Sequence, residues 1–196
     1  MTDSTSTDGY TAEADVLAER YERIRFEDVH AAILHLLPAT PCRAIDIGAG
    51  TGRDAAALAA RGHAVTAVEP TAAMRAHGQR LHPGSGITWI DDGLPDLARV
   101  EGTFDLVMLT AVWMHLDAGE RARGMARLAA LLAPQGLAAM TLRHGPVPPG
   151  RRMFEVSGAE TVALAAPHGL QAVLQAQRGD MHGREVTWTQ LVLRRV

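Results

Sequence analysis

The chain has 196 residues, 47% of them hydrophobic, which suits one folded domain with a sizeable core and excludes wholesale disorder. Nineteen basic against twenty-two acidic side chains leave a net charge of −3. That balance lacks the basic surface with which a dedicated nucleic-acid binder displaces counterions, so no nucleic-acid partner is expected. A lone cysteine, Cys42, excludes an internal disulfide and fits a reducing compartment, where a small core filler is its expected role.

Residues 1–11 read as a flexible leader; MTDSTSTDGYTAEAD is polar and acidic and lacks the basic-then-apolar order of a secretory signal. No apolar run reaches the ~20 residues that span a bilayer. A soluble, cytoplasmic protein without a membrane partner is expected. Val16, Leu17, Tyr21, Ile24, Val29, Ile33, Leu36 and Leu37 recur at helical spacing, predicting a helix over 12–37 that Pro38 and Pro41 close. Residues 12–41 would form an N-terminal helical lid.

An alternation follows. RAIDIG (43–48) reads as a buried strand, DAAALAARG (54–62) as a helix, HAVTAVEP (63–70) as a strand and TAAMRAHGQRL (71–81) as a helix. GITWIDD (86–92) is a third strand, LPDLARV (94–100) a short helix and TFDLVMLTAV (103–112) a fourth strand. AGERARGMARLAALLAPQG (118–136) is a long helix and LAAMTLRHG (137–145) a fifth strand. Strands joined through helices imply parallel pairing, and their near-continuous apolar content fits a sheet covered on both faces. SGAETVALAAPHG (157–169) reads as a helix with Ser157 as N-cap and Gly169 as its stop. Between LQAVLQAQRG (170–179) and REVTWTQLVLRRV (184–196) there is no room for a crossover helix, so these strands should form an antiparallel hairpin. The expectation is one α/β domain, residues 12–196. Its doubly wound sheet has seven strands, five parallel ones plus a C-terminal antiparallel hairpin, with helices on both faces.

The first strand runs into IDIGAGTG (45–52), a Gly-rich turn before a helix, which is the layout of a nucleotide site. Position 53 is Arg, so the spacing is G-x-G-x-G and not the dinucleotide fingerprint G-x-G-x-x-G. Lys is absent from this stretch, which excludes a P-loop. Asp46 would repel a pyrophosphate and welcome a cation or hydrogen-bond donors. Glu69 ends the second strand, where a carboxylate can accept both hydroxyls of a ribose. Asp91 and Asp92 end the third strand, where an adenine amino group could be met; each could equally start a turn before Leu94 and Pro95. Acidic groups at adjacent strand ends, close backbone approach and no phosphate grip suit S-adenosylmethionine, which carries a ribose, an adenine, an amino group and a sulfonium.

The segment AIDIGAGTGRDAAALAARGHAVTAVEPTAAM (44–74) resembles the first motif and acidic second-strand end of class I S-adenosylmethionine-dependent methyltransferases. WIDDGLP (89–95), FDLVMLTAVWMHL (104–116) and LAPQGLAAMTL (132–142) are similar to the same family's adenine-side loop, fourth strand and turn into the fifth. Within it, the short chain and RGDMHGREVTWTQLVLRR resemble small-molecule enzymes of the tellurite and thiopurine type. The resemblance implies a Rossmann-like fold and methyl transfer to a small molecule. It implies that Asp46 orients the cofactor's amino group, that Gly48, Ala49, Gly50 and Gly52 let backbone approach it, and that Glu69, followed by Pro70, binds the ribose diol. Asp92, with Asp91, would meet the adenine, and Thr110, Ala111 and Val112 would line the methionine end by backbone contact.

Displacement at a sulfonium has an activated leaving group, so positioning and water exclusion carry most of the catalysis. A base is needed only for a nucleophile that holds its proton tightly. His115, after the fourth strand, is the candidate base and His144 a second candidate; each could also be a packed histidine. Trp113, at a strand end, could stack on a flat substrate. Arg143, Arg151, Arg152 and Arg184 could gather on one rim and select an anionic substrate, or be solvated surface arginines. HGPVPPGRRM (144–153) reads as a semi-rigid loop over the pocket, and Tyr21, Phe26 and His30 could lie across the cofactor or pack in the core. Trp89 and Trp188, inside strands, read as core residues. No His/Cys/Asp grouping has ligand spacing, so no metal is expected. A monomer and a homodimer are both compatible with the chain. Three alternatives stay open: a cyclase or lyase using the same cofactor, a nicotinamide oxidoreductase on a similar fold, and a non-catalytic module that binds the cofactor.

Overall fold

A computed structural model describes residues 13–181 and 183–196; the expected leader, 1–11, lies outside the described residues. Seven strands form one sheet: β1 (Arg43–Ile47), β2 (Ala64–Val68), β3 (Thr88–Ile90), β4 (Phe104–Thr110), β5 (Leu132–His144), β6 (Leu170–Gly179) and β7 (Thr187–Arg195). Their order is β3-β2-β1-β4-β5-β7-β6. The first five strands pair in parallel, while β7 runs antiparallel between β5 and β6. The expected doubly wound sheet with its C-terminal hairpin is therefore the observed architecture.

Alternation along β1 and β4 sorts the core onto the two faces of the sheet. Ile45, Ile47, Val107 and Leu109 pack on one face with Met125 and Leu128 of α5 (Ala118–Leu131) and Ala165 of α6 (Gly158–Ala165). Ala44, Leu106 and Met108 face the other way, against Phe26 of α2 (Phe26–His30) and Ala55 and Leu58 of α3 (Arg53–Ala60). Asp46 and Thr110 share that second face, which sets both beside α3. The N-terminal α1 (Ala14–Glu22) packs Ala14 and Leu17 on Met74 of α4 (Ala72–Leu81).

Several expected elements differ. The helix expected over 12–37 breaks at residues 23–25 between α1 and α2 and ends in a 3-10 turn, Leu34–Leu36. LPDLARV forms no helix. Asp92 accepts from the Gly93 and Arg99 amides, and Arg127 of α5 donates to the Leu97 and Val100 carbonyls, so long-range partners hold that stretch as a turn. The α5 helix stops at Leu131 and β5 starts at Leu132, five residues earlier than expected, with Gln135 at φ 64. A register shift between Phe104 and Leu106 accommodates this early start. Ser157 does cap α6, accepting from the Glu160 amide.

Candidate active site

At the carboxyl ends of β1, β2, β4 and β5 lies a cleft of about 590 Å³, within the range of small-molecule sites. Its floor is the β1–α3 loop. The Gly48 and Ala49 amides both donate to the Val68 carbonyl, at 2.8 and 3.0 Å. Glu69 then organises the turn from the side: one carboxylate oxygen accepts from the Gly50 amide and the other from the Thr71 amide, each at 2.8 Å. Each oxygen keeps acceptor capacity towards the cleft, which suits a vicinal diol. Burial pushes the Glu69 carboxyl up from its ordinary value, against the pull of those two amides. Gly48 has φ +70, and a Cβ there would stand 2.5 Å from Val112 Cγ2, so only glycine brings the chain this close to the β4 end.

Asp46 is 2% exposed, and its Oδ2 has no hydrogen-bond partner. Burial, and then the neighbouring charge of Asp54, push its carboxyl well above the ordinary range. Asp54 is held the other way. Although burial opposes ionisation, donation from His30 Nε2 at 2.7 Å and Arg53 Nε at 2.7 Å keeps its carboxylate well below the usual range. The Thr110 hydroxyl adds a third donor at 2.6 Å. Sequence reasoning missed Asp54; its only signal was a carboxylate in the first turn of the helix that the glycine loop enters. An orphaned buried oxygen on Asp46, a glycine cradle and an amide-backed Glu69 fit a ligand with a cationic end and a ribose.

Of the expected cofactor residues, Asp46, Gly48, Ala49, Gly50, Glu69, Pro70 and Thr110 line the cleft. Gly52, Asp91 and Asp92 do not. Gly52 packs under Trp89, whose ring would sit 2.8 Å from a Cβ there. Asp91 points outward and pairs with Arg75 at 2.9 Å, and Asp92 spends both oxygens on the turn amides.

The opposite wall of the cleft is built differently. His115 stands on a 3-10 turn after β4 and lines the cleft. Its Nδ1 donates to the Arg152 carbonyl at 2.8 Å, because a carbonyl can only accept, and this fixes the tautomer with Nε2 as the acceptor nitrogen. Burial and the charges of Arg151, Arg152 and Arg143 hold the imidazole below its ordinary value, outweighing that hydrogen bond, so it stays neutral. Arg143, Arg151 and Arg184 line the cleft with Tyr21. Arg152 does not; it ties the His115 carbonyl to Asp117 and Glu120 behind the wall.

Two expected substrate residues point elsewhere. The 3-10 turn carries Trp113 into the core, where it is 0% exposed and packs on Gly124. His144 lies one residue beyond Arg143 on β5 and so on the opposite face, bonded to Thr189 at 2.8 Å and Glu155 at 3.2 Å. In their place stands Trp188, read from sequence as core. It lines the cleft between Arg143 and Arg178 in one cross-strand row, with the Arg178 guanidinium 5.6 Å from its ring centre. Pro148, Pro149 and Met153 of the expected pocket loop close the same side, and Arg151 of that loop pairs with Glu13 at the start of α1. No group of three His, Cys, Asp or Glu among the described residues could hold a metal, and no described helix is long and apolar enough to cross a membrane.

Comparison with known proteins agrees with this geometry. Residues 44–136 match the family model described as a methyltransferase domain. A protein of Oceanobacillus iheyensis described as an uncharacterized methyltransferase is 24% identical over 158 residues, 80% of this chain and 68% of the relative. Among solved structures, magnesium protoporphyrin IX methyltransferase of Synechocystis superposes with TM-score 0.74 at 18% identity, covering 98% of this chain and 100% of that one. TehB of Haemophilus influenzae gives 0.73 at 16% identity, covering 94% and 67%. The 1,6-didemethyltoxoflavin-N1-methyltransferase of Burkholderia thailandensis gives 0.70 at 22%, covering 94% and 89%. Residues 44–136 thus match a methyltransferase domain, and the fold is the one these solved methyltransferases share.

Proposed function

We propose that the protein transfers a methyl group from S-adenosylmethionine to a small anionic nucleophile. The observation that carries this reading is the polarity of the cleft. Asp46, Asp54 and Glu69 line the strand-end floor with Arg53, where a cationic nucleoside is favoured, and Arg143, Arg151, Arg178 and Arg184 come from the C-terminal strands and loops, Glu13 pairing with Arg151 and Asp180 with Arg184. Structural relatives described with bound S-adenosylmethionine or S-adenosylhomocysteine, and one with the small heterocycle 1,6-didemethyltoxoflavin, support the cofactor and a small-molecule acceptor.

When bound, the cofactor supplies a methyl group already activated by its sulfonium. Glu69, which holds the glycine loop through the Gly50 and Thr71 amides, would accept the ribose hydroxyls. Asp46 receives the amino group. His115, neutral and oriented by the Arg152 carbonyl, takes a proton at Nε2 from a nucleophile that carries one. The arginines draw the acceptor's negative charge to the opposite wall, and α1 with the 144–153 loop forms a lid that excludes water, joined by the Glu13–Arg151 pair. Cys42, a free thiol, suits the reducing cytoplasm.

The test is cofactor consumption over a panel of carboxylates, heterocyclic anions, thiols and chalcogen oxyanions, with matched cationic amines. Release of S-adenosylhomocysteine with anionic acceptors only is expected. Release of methylthioadenosine would assign a cyclase or lyase instead, and turnover confined to cationic amines would overturn the anionic acceptor.

A further inference from the structure

Two carboxylates, Asp46 and Asp54, are buried side by side in the cofactor end, each 2 to 3% exposed. Their surroundings are unequal. Asp54 receives three side-chain donors, from His30, Thr110 and Arg53, which solvate a negative charge well. Asp46 has an orphaned Oδ2 in the cleft wall. Two buried like charges in one site do not both ionise cheaply, and the better-solvated partner takes the charge. The other groups acting on the pair are Glu69 from β2 and Arg53 from α3, with Glu22 of α1 acting on Arg53. His30 of α2 meets Asp54 directly.

We propose that Asp54 tunes cofactor selectivity: together with burial it holds a proton on Asp46 while the cleft is empty, and a cationic ligand expels that proton on binding. This rests on the proposed use of S-adenosylmethionine. The proton leaves Asp46 for solvent, and the site then holds two negative charges against the ligand. S-adenosylmethionine brings one more positive charge than S-adenosylhomocysteine, so the ionised pair holds the substrate cofactor more firmly than the spent one. Methyl transfer removes the sulfonium charge, and the site, refilled by a proton on Asp46, lets the product go. The raised Asp46 carboxyl and lowered Asp54 carboxyl agree with this division of charge.

The experiment is titration calorimetry of the full chain with each ligand, between pH 5 and 7, in buffers of different ionisation enthalpy. The expected result is release of close to one proton per S-adenosylmethionine bound at the acid end, with less for S-adenosylhomocysteine. Affinity should rise with pH, by up to about tenfold per unit below the Asp46 titration. In Asp54→Asn, Asp46 loses the repulsion of Asp54 but keeps its burial, so its titration moves to lower pH. Proton release at a given pH should then diminish, its onset moving to lower pH, and the preference for S-adenosylmethionine over S-adenosylhomocysteine should fall about tenfold, one pKa unit's worth of interaction. Asp46→Asn, which leaves the Asp54 donors in place, should lose proton release altogether. Binding of S-adenosylmethionine by the unaltered chain with no proton exchange at any pH would overturn the inference, whether or not the variants fold. Absence of binding would instead overturn the cofactor assignment.

Discussion

The two ends of the cleft solve opposite electrostatic problems with different parts of the fold. At the cofactor end, three buried carboxylates sit on adjacent strand ends and the first turn of α3, with donors from the same turns and from α2 and β4. At the acceptor end the charges come from β5, β6 and two loops; Arg151 pairs with Glu13 across 138 residues, and Arg184 with Asp180 four residues away. The first end is built on the β1–α3 turn and the end of β2, with His30 of α2 and Thr110 of β4 completing it. The second exists only once the C-terminal hairpin has docked on β5. The cofactor end thus belongs to the parallel half of the sheet, and the acceptor end to the C-terminal strands and the loops that flank them.

The largest blow to the cofactor end should come from Glu69→Ala. It removes the ribose acceptor and strands the Gly50 and Thr71 amides, so cofactor affinity should fall by about 3 kcal/mol, roughly 100-fold or more, in calorimetry. Retained affinity would dissolve the contrast between the ends. His115→Ala should lower kcat about 100-fold while the cofactor Kd stays within about twofold, for an acceptor that must lose a proton. Because the His115 imidazole is held below its ordinary value, the basic form persists to lower pH. Turnover of the unaltered enzyme should stay level from about pH 8 down past about 6.5 and fall only below the depressed value, as the imidazole gains its proton. A fall already centred above 6.5 would place another group in that role. Arg143→Ala should raise the acceptor KM about tenfold and leave cofactor affinity intact, since charge-assisted bonds of this kind contribute roughly 1.5 kcal/mol; an equal effect on both would show that the ends are not separable. The smallest change is expected for Asp91→Ala. Its exposed pair with Arg75 predicts less than about twofold in cofactor affinity, and a larger loss would return Asp91 to the adenine.

The same contrast explains what could be read from the residues alone. IDIGAGTG, Glu69 and the apolar strands are legible because period, glycine and a strand-end carboxylate each carry a local physical signal. Asp54 was not, since a carboxylate in a first helical turn also serves as a routine partner of the helix dipole; its meaning comes from His30 and Thr110, 24 and 56 residues away. Trp113 and Trp188 exchanged roles for a related reason. A 3-10 turn at Val112 rotates Trp113 inward, while the β5–β7 register sets Trp188 beside Arg143 on the cleft face. Neither the turn nor the register has a signature in the neighbouring residues. His144 and Arg143 show how little separates the outcomes: one step along a strand puts them on opposite faces.

The most direct test is a calorimetric titration of the purified chain with S-adenosylmethionine, S-adenosylhomocysteine and NAD in parallel. The account predicts one site that binds both adenosyl ligands, S-adenosylmethionine the more tightly, and no binding of NAD. Binding of NAD with none of either adenosyl ligand would contradict it.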